Sequence, residues 1–292
     1  MAEHSNIAWT NASWNPIRGC ERVSEGCRNC YAEVFAARHS YEGGWGHELA
    51  EYVKRPGGKM EARWTGKIET SARHLENPLR WRDPRMIFVN SMSDLFHDRV
   101  PMDFLDKCFA VMAMSSRHTF QILTKRPRRM LDYLTRKDIT DRIGHAEHEM
   151  AGTGKRTAIL VDSYCGPAHR GAAWPLPNVW LGVSAEDQDT FDARVEILSQ
   201  VLAAVRFVSC EPLLGEIDTG NALDPDGLNW VICGGESGPN RREMDMDHAR
   251  DLIRQCQLSD IPIFVKQDSG PRPGMQGRFT DAEWALKQYP KS

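Results

Sequence analysis

Residues 179–212, VWLGVSAEDQDTFDARVEILSQVLAAVRFVSCEP, decide the fold. The stretch opens on Val179–Val183, an apolar run without polar alternation, as expected of a strand covered on both faces. Ser184, Ala185 and Glu186 end it. Asp187–Leu202 then starts with acidic residues and places Phe191, Val195, Leu198 and Leu202 at spacings of three and four, which predicts an amphipathic helix. A second apolar run, Arg206–Ser209, closes on Cys210-Glu211-Pro212. Strand, crossover helix and strand, neither strand showing clean polar alternation, form a parallel βαβ unit.

Working outward, the same unit recurs. Met86–Asn90, Phe120–Thr124, Trp230–Cys233 and Ile263–Lys266 read as further buried strands, and Ile7–Thr10 and Gly66–Thr70 as two shorter ones. Asp103–Met114 and Asp245–Cys256 read as helices between them. The predicted class is α/β, with a partial or complete parallel (β/α) barrel in a single domain. Gly-rich or charged stretches at 39–62 and 135–177 break the rhythm and are expected to be insertions. Each strand run ends in polar residues: SMSD at 91–94, Lys125-Arg126, SAE at 184–186, CEP at 210–212, GGESG at 234–238 and Gln267-Asp268. In such barrels the carboxyl ends of the strands converge on one mouth, where active sites form. Glu186, Glu211, Glu236 and Lys266 occupy equivalent places there. Lys266 is expected either to pair with Glu211 or Glu236 or to meet an anionic substrate group.

The chain of 292 residues carries 37 Lys and Arg against 40 Asp and Glu, a formal net charge of -3. A polybasic coat for nucleic acid is excluded, so any such contact is local. The opening MAEHSNIAWT lacks the basic-then-apolar pattern of a secretory leader, and no apolar run reaches membrane-spanning length. The expected compartment is the cytoplasm. Eight cysteines are too few for a disulfide scaffold, and in a reducing compartment clustered thiols point to metal or catalysis.

Three of the eight cluster: Cys20, Cys27 and Cys30 in WNPIRGCERVSEGCRNCYAE. Thiolates at this density suit a [4Fe–4S] cluster with one iron left open, or zinc with a distant fourth ligand. Cys108, Cys233 and Cys256 read as packing residues. His145-x-x-His148 with Cys165-x-x-x-His169 has spacing zinc could accept, although surface histidines on an insertion are the commoner outcome.

The segment NPIRGC followed by Cys27-x-x-Cys30-Tyr31 resembles the signature of radical S-adenosylmethionine enzymes, especially the branch like spore photoproduct lyase. Six residues separate Cys20 from Cys27 where the usual pattern has three. Nearly the whole chain resembles the phage Gp37/Gp68-type three-Cys-motif family, through SMSDLFH (91–97), LTKRP (123–127), GVSAED (182–187), CEPLLG (210–215), GGESGP (234–239) and FVKQ (264–267). The resemblance implies a [4Fe–4S] cluster on Cys20, Cys27 and Cys30, S-adenosylmethionine as cofactor, an external electron donor, and a 5′-deoxyadenosyl radical as the hydrogen abstractor. Such enzymes use a GGE-like segment after the second strand. Gly234-Gly235-Glu236 matches it in letters but lies near strand six, where the glycines are as readily explained by a tight turn. By order along the chain Ser91, Ser93 and Asp94 take the corresponding place, and Glu186 falls at a ribose-binding position. Together with Tyr31 these are the candidate cofactor-binding residues.

The implied substrate is a nucleobase or nucleotide, free or within DNA, which points to DNA modification or repair. Lys125 and Arg126, heading a basic run to Arg129, are the candidate substrate-binding cations, and Arg126 is the one placed to act. Trp9, Trp14, Trp45 and Trp64 read either as core anchors or as base-stacking rings. Cys210, beside Glu211, is the preferred hydrogen donor, with Cys165 as the other. Catalytic roles are therefore expected at Cys210, Glu211 and Lys266. Two other readings remain: a non-catalytic zinc-binding nucleic-acid module, and a barrel hydrolase using Glu186, Glu211 and Glu236 as acid and base.

Overall fold

The structure is a computed structural model that describes residues 5–151, 174–224 and 227–290. Its eleven strands are β1 (Ala12–Trp14), β2 (Ile17–Arg18), β3 (Ala50–Lys54), β4 (Met60–Trp64), β5 (Glu69–Thr70), β6 (Met86–Val89), β7 (Thr119–Thr124), β8 (Val179–Ser184), β9 (Val205–Cys210), β10 (Trp230–Gly234) and β11 (Ile263–Gln267). Seven of them form one sheet in the order β1-β6-β7-β8-β9-β10-β11. Every neighbouring pair in it is parallel. β1 and β11 are its two ends, so the barrel is partial rather than complete.

The sheet curls around an aromatic plug. The Trp9 ring lies 4.7 Å from Phe88 of β6, 6.0 Å from Trp230 of β10 and 6.3 Å from Phe207 of β9. Strands so far apart in the sheet order can share one ring only if the sheet bends round it. Trp180, Ile232 and Phe264 complete this inner layer. The alternate residues face outward: Ile87, Val89, Ile122, Leu181, Val183, Val208, Val231 and Val265 join the larger core under the helices. Burial of each such side chain contributes roughly 1.5–3 kcal/mol. Two-sided burial is why these strands read as unbroken apolar runs.

Three expectations are corrected. Ile7–Thr10 is a turn, closed by Thr10 N donating to Ile7 O at 3.2 Å, and the first sheet strand is β1. Only Glu69–Thr70 of 66–70 is extended, and it pairs antiparallel with β2 outside the main sheet. The helix after β8 stops at Ser199, and Leu202 is exposed in the connection to β9. Its start is fixed by a reciprocal cap, Asp187 accepting from Thr190 N and Thr190 Oγ1 accepting from Asp187 N.

The two irregular stretches differ from each other. Within 39–62 lies most of the antiparallel β3–β4 hairpin. In 135–177, helix Ile139–Ala151 buries Ile139, Ile143 and Ala146 in the main core. Glu147 on that helix is fully buried, and among the described residues nothing bonds to either carboxylate oxygen. Burial raises its pKa from 4.5 to about 7. Across that window the folded chain holds a proton the unfolded chain has lost, so stability falls as pH rises. Glu147→Gln is expected to stabilise the protein by roughly 2–3 kcal/mol at pH 8 and hardly at all near pH 4.5. Denaturant melts at the two pH values measure this, and an equal effect at both contradicts it.

Among the described residues no helix is long and apolar enough to cross a membrane.

Candidate functional site

The cysteine loop leaves the carboxyl end of β1, at the mouth. Asn15 holds its start against the end of β6: the Asn15 amide lies 3.2 Å from Ser91 Oγ, and Met92 N donates to Asn15 Oδ1 at 3.2 Å. Ser93 Oγ donates to Ile17 O at 2.9 Å, and Gly19 bridges to Ser93. A 3-10 turn, Glu25–Cys27, and helix Tyr31–Arg38 complete the loop. Arg22 clamps it from behind. Its guanidinium meets the buried Glu33 carboxylate at 2.9 and 3.1 Å and Glu61 of β4 at 3.1 Å, so the hairpin is tied to the loop.

Cys20, Cys27 and Cys30 are each partly buried and near enough to influence one another. Burial, then the Asp94 carboxylate, pushes the Cys20 thiol up to about 12, against the pull of Arg126. Burial likewise raises Cys30, and Cys27 adds to it. Among the described residues no group of three or more His, Cys, Asp or Glu side chains already surrounds a point a metal would take. The donor chemistry nonetheless suits a three-thiolate cluster: three soft ligands from one loop, with the Arg126 guanidinium beside Cys20 to offset thiolate charge.

The charged strand ends hold this loop in place. Glu186, after β8, is 1% exposed. It pairs with Lys125, accepts from Arg194 at 3.1 Å, and accepts from Ser24 of the loop at 3.0 Å. Burial alone would raise its pKa, but Lys125 and Arg194 outweigh burial and hold it below the usual carboxylate range. Gly26 lies against this carboxylate so closely that a Cβ there would sit 2.2 Å from Glu186 Oε1. Asp94, after β6, accepts from Thr124 at 2.7 Å and from Arg126 at 3.0 Å, and Arg126 also reaches Glu21 O at 3.4 Å. Glu236, after β10, accepts from Asn29 of the loop at 2.8 Å and from Arg242 at 2.7 Å, while Arg242 donates to Glu25 O at 2.9 Å. Arg242 and Asn29 outweigh the burial that would raise Glu236 and hold it ionised.

Asp94, Glu186 and Glu236, expected to bind cofactor, are thus bonded to protein groups. Ser91 and Ser93 are engaged with Asn15 and Ile17. Lys125 and Arg126, expected to bind substrate, are committed to Glu186 and Asp94. Gly235 has a packing reason, since a Cβ there would meet Ser269 N at 2.5 Å, whereas at Gly234 the nearest atom is 3.4 Å away. The Cys210 side chain is fully buried in the outer apolar layer beside Cys233 and Cys256, and burial raises its thiol well above the ordinary value. Cys108, Cys233 and Cys256 are buried in that same layer. Of the four tryptophans, Trp9 and Trp14 are core, and Trp45 and Trp64 pack at the helix–hairpin junction. Cys165 and His169 lie outside the described residues.

One ion pair and one ring at the mouth stand apart from this seating network. Lys266 donates to both Glu211 oxygens, at 2.5 and 2.7 Å, and among the described residues neither side chain has a further hydrogen-bond partner. Tyr31 donates to Ser91 O at 2.5 Å while its ring is 56% exposed. Desolvation raises the pKa of the hydroxyl, and the nearby Cys30 and Glu211 raise it further. Ser24, Asn29, Arg194 and Arg242 were not expected at the site. Arg194 and Arg242 follow strand-end glutamates by eight and six positions, but neither spacing constitutes a motif.

No curated protein and no solved structure matches the chain. One family model, described as a protein of unknown function (DUF5131), matches residues 4–283, and the chain belongs to that family.

Proposed function

We propose that the chain is an iron–sulfur enzyme of the radical S-adenosylmethionine type, acting on a nucleobase or nucleotide. One observation carries the reading: three thiols sit on the loop leaving the first parallel strand, docked over the carboxyl-end mouth of a half-barrel. Cys20, Cys27 and Cys30 would hold the cluster. When bound, cluster and S-adenosylmethionine supply one-electron cleavage of a carbon–sulfur bond and a hydrogen-abstracting radical.

The chain's own residues have narrower tasks. Glu211 and Lys266, among the described residues paired only with each other, present a negative and a positive group side by side and so complement the ammonium and carboxylate of an α-amino acid such as the methionine moiety. The aromatic plug under the mouth closes the opposite end to water. Glu186, Asp94 and Glu236 keep the thiol loop seated. The same ion pairs argue against Glu186 or Glu236 as the general acid of a hydrolase, because that role needs a pKa near the working pH and both are held below the usual range.

Anaerobic reconstitution with iron and sulfide should give brown protein that forms 5′-deoxyadenosine from S-adenosylmethionine and a reductant. Colourless protein with stoichiometric zinc, and no 5′-deoxyadenosine, sinks the reading and leaves the zinc-binding module. Hydrolytic activity that survives Cys20→Ala would favour strand-end carboxylates instead.

A further inference from the structure

A second surface begins at the mouth and runs away from it. On the loop and its helix, Arg28, Tyr31, Phe35 and Arg38 fall at spacings of three, four and three. All four are exposed, while Ala32, Glu33, Ala36 and Ala37 between them are buried. Tyr31 ties the near end of this stripe to the end of β6. Phe35 is 45% exposed yet held in place, stacked on His39 at 4.3 Å and 33° and edge-on to Trp45 at 5.6 Å. Tyr41, 64% exposed and 6.4 Å from His39, extends the row. Among the described residues Arg38 has no ion-pair partner, and Arg28 touches only Glu25, at 3.8 Å.

We propose that this stripe of cations and aromatic rings docks a single-stranded nucleic acid and leads it to the mouth, so that the substrate base is presented within a strand rather than as a free nucleotide. Fixed, solvent-facing rings stack bases whatever their identity, and flanking guanidinium groups meet the phosphates. From Tyr31 to Arg38 the helix rises about 10 Å, the length of roughly three stacked nucleotides. A second copy of the chain fits poorly: an isologous contact through the stripe would bring like-charged arginines together. The proposal rests on the reading above only for what happens to the base at the mouth.

The test is fluorescence anisotropy of the full reconstituted chain with a labelled single strand of about 15 nucleotides, as DNA and as RNA, competed by a mononucleotide. We expect one or both oligonucleotides to bind with salt-dependent affinity and the mononucleotide to compete only at far higher concentration. Phe35→Ala should weaken binding about tenfold, and Arg38→Glu should weaken it and flatten the salt dependence. Neither substitution should change iron content or the 5′-deoxyadenosine formed without substrate, so failure here is separate from failure of the radical chemistry. Equal competition by the mononucleotide, unchanged binding by both variants, or a dimer that Phe35→Ala dissociates would each overturn the proposal.

Discussion

Cys27→Ala protein, reconstituted anaerobically, is expected to retain its fold, to lose most of its bound iron and sulfide, and to form 5′-deoxyadenosine at least a thousandfold more slowly. The reason is stoichiometric. The loop carries three thiols and no fourth, and the other cysteines among the described residues are buried elsewhere. Cys27 is only partly covered and its backbone closes the 3-10 turn through N donating to Ser24 O at 3.0 Å, a bond the substitution keeps. The fold should therefore lose less than about 1 kcal/mol. Cys210→Ala is the opposite case. It removes a fully buried thiol from the outer layer, so stability should fall by about 1–2 kcal/mol while iron content stays unchanged. Iron and sulfide assays beside a denaturant melt separate the two patterns. Full iron in Cys27→Ala, or lost iron in Cys210→Ala, would contradict the assignment of the ligands.

That contrast marks where sequence reading succeeds and where it stops. Strand positions were legible because both faces of β6 to β11 are covered, which imposes apolar runs such as MIFV and WVIC. β1 was not legible. Its three residues, Ala12, Ser13 and Trp14, are too few to carry a period, while the more strand-like Ile7–Thr10 is a turn that delivers Trp9 to the barrel interior. The mouth was legible because parallel topology forces every strand end to one side. The partners within it were not. Ser24 meets Glu186 across 162 positions, and Asn29 meets Glu236 across 207. Nothing local distinguishes a carboxylate that seats a loop from one that binds a ligand. Cys210 illustrates a related limit: one residue along a strand changes the face, so a thiol next to a mouth glutamate is buried in the outer layer.

Glu186→Ala is expected to be the most damaging substitution outside the thiols, destabilising the fold by about 3–5 kcal/mol. The carboxylate is 1% exposed and serves three partners, Lys125, Arg194 and Ser24. Removing it leaves the Arg194 and Lys125 charges, 10% and 18% exposed, facing each other without an anion. That desolvated repulsion, rather than the loss of an attraction, is the larger part of the effect. Glu186→Gln keeps the shape but not the charge and should fall between alanine and the native chain. A Glu186→Leu, Lys125→Met, Arg194→Leu triple variant removes all three charges of this network and should recover much of the stability, since a whole ion network exchanges for apolar groups at little net change. It should not recover the seat of the cysteine loop, because Ser24 still lacks its acceptor and the leucine would crowd Gly26, where an added Cβ would come within 2.2 Å of the native carboxylate. The triple variant should therefore fold almost as well as the native chain and retain less iron. If it binds iron normally, Glu186 stabilises the barrel without holding the loop. If Glu186→Ala alters stability by less than about 1 kcal/mol, the mouth is wetter than its burial implies.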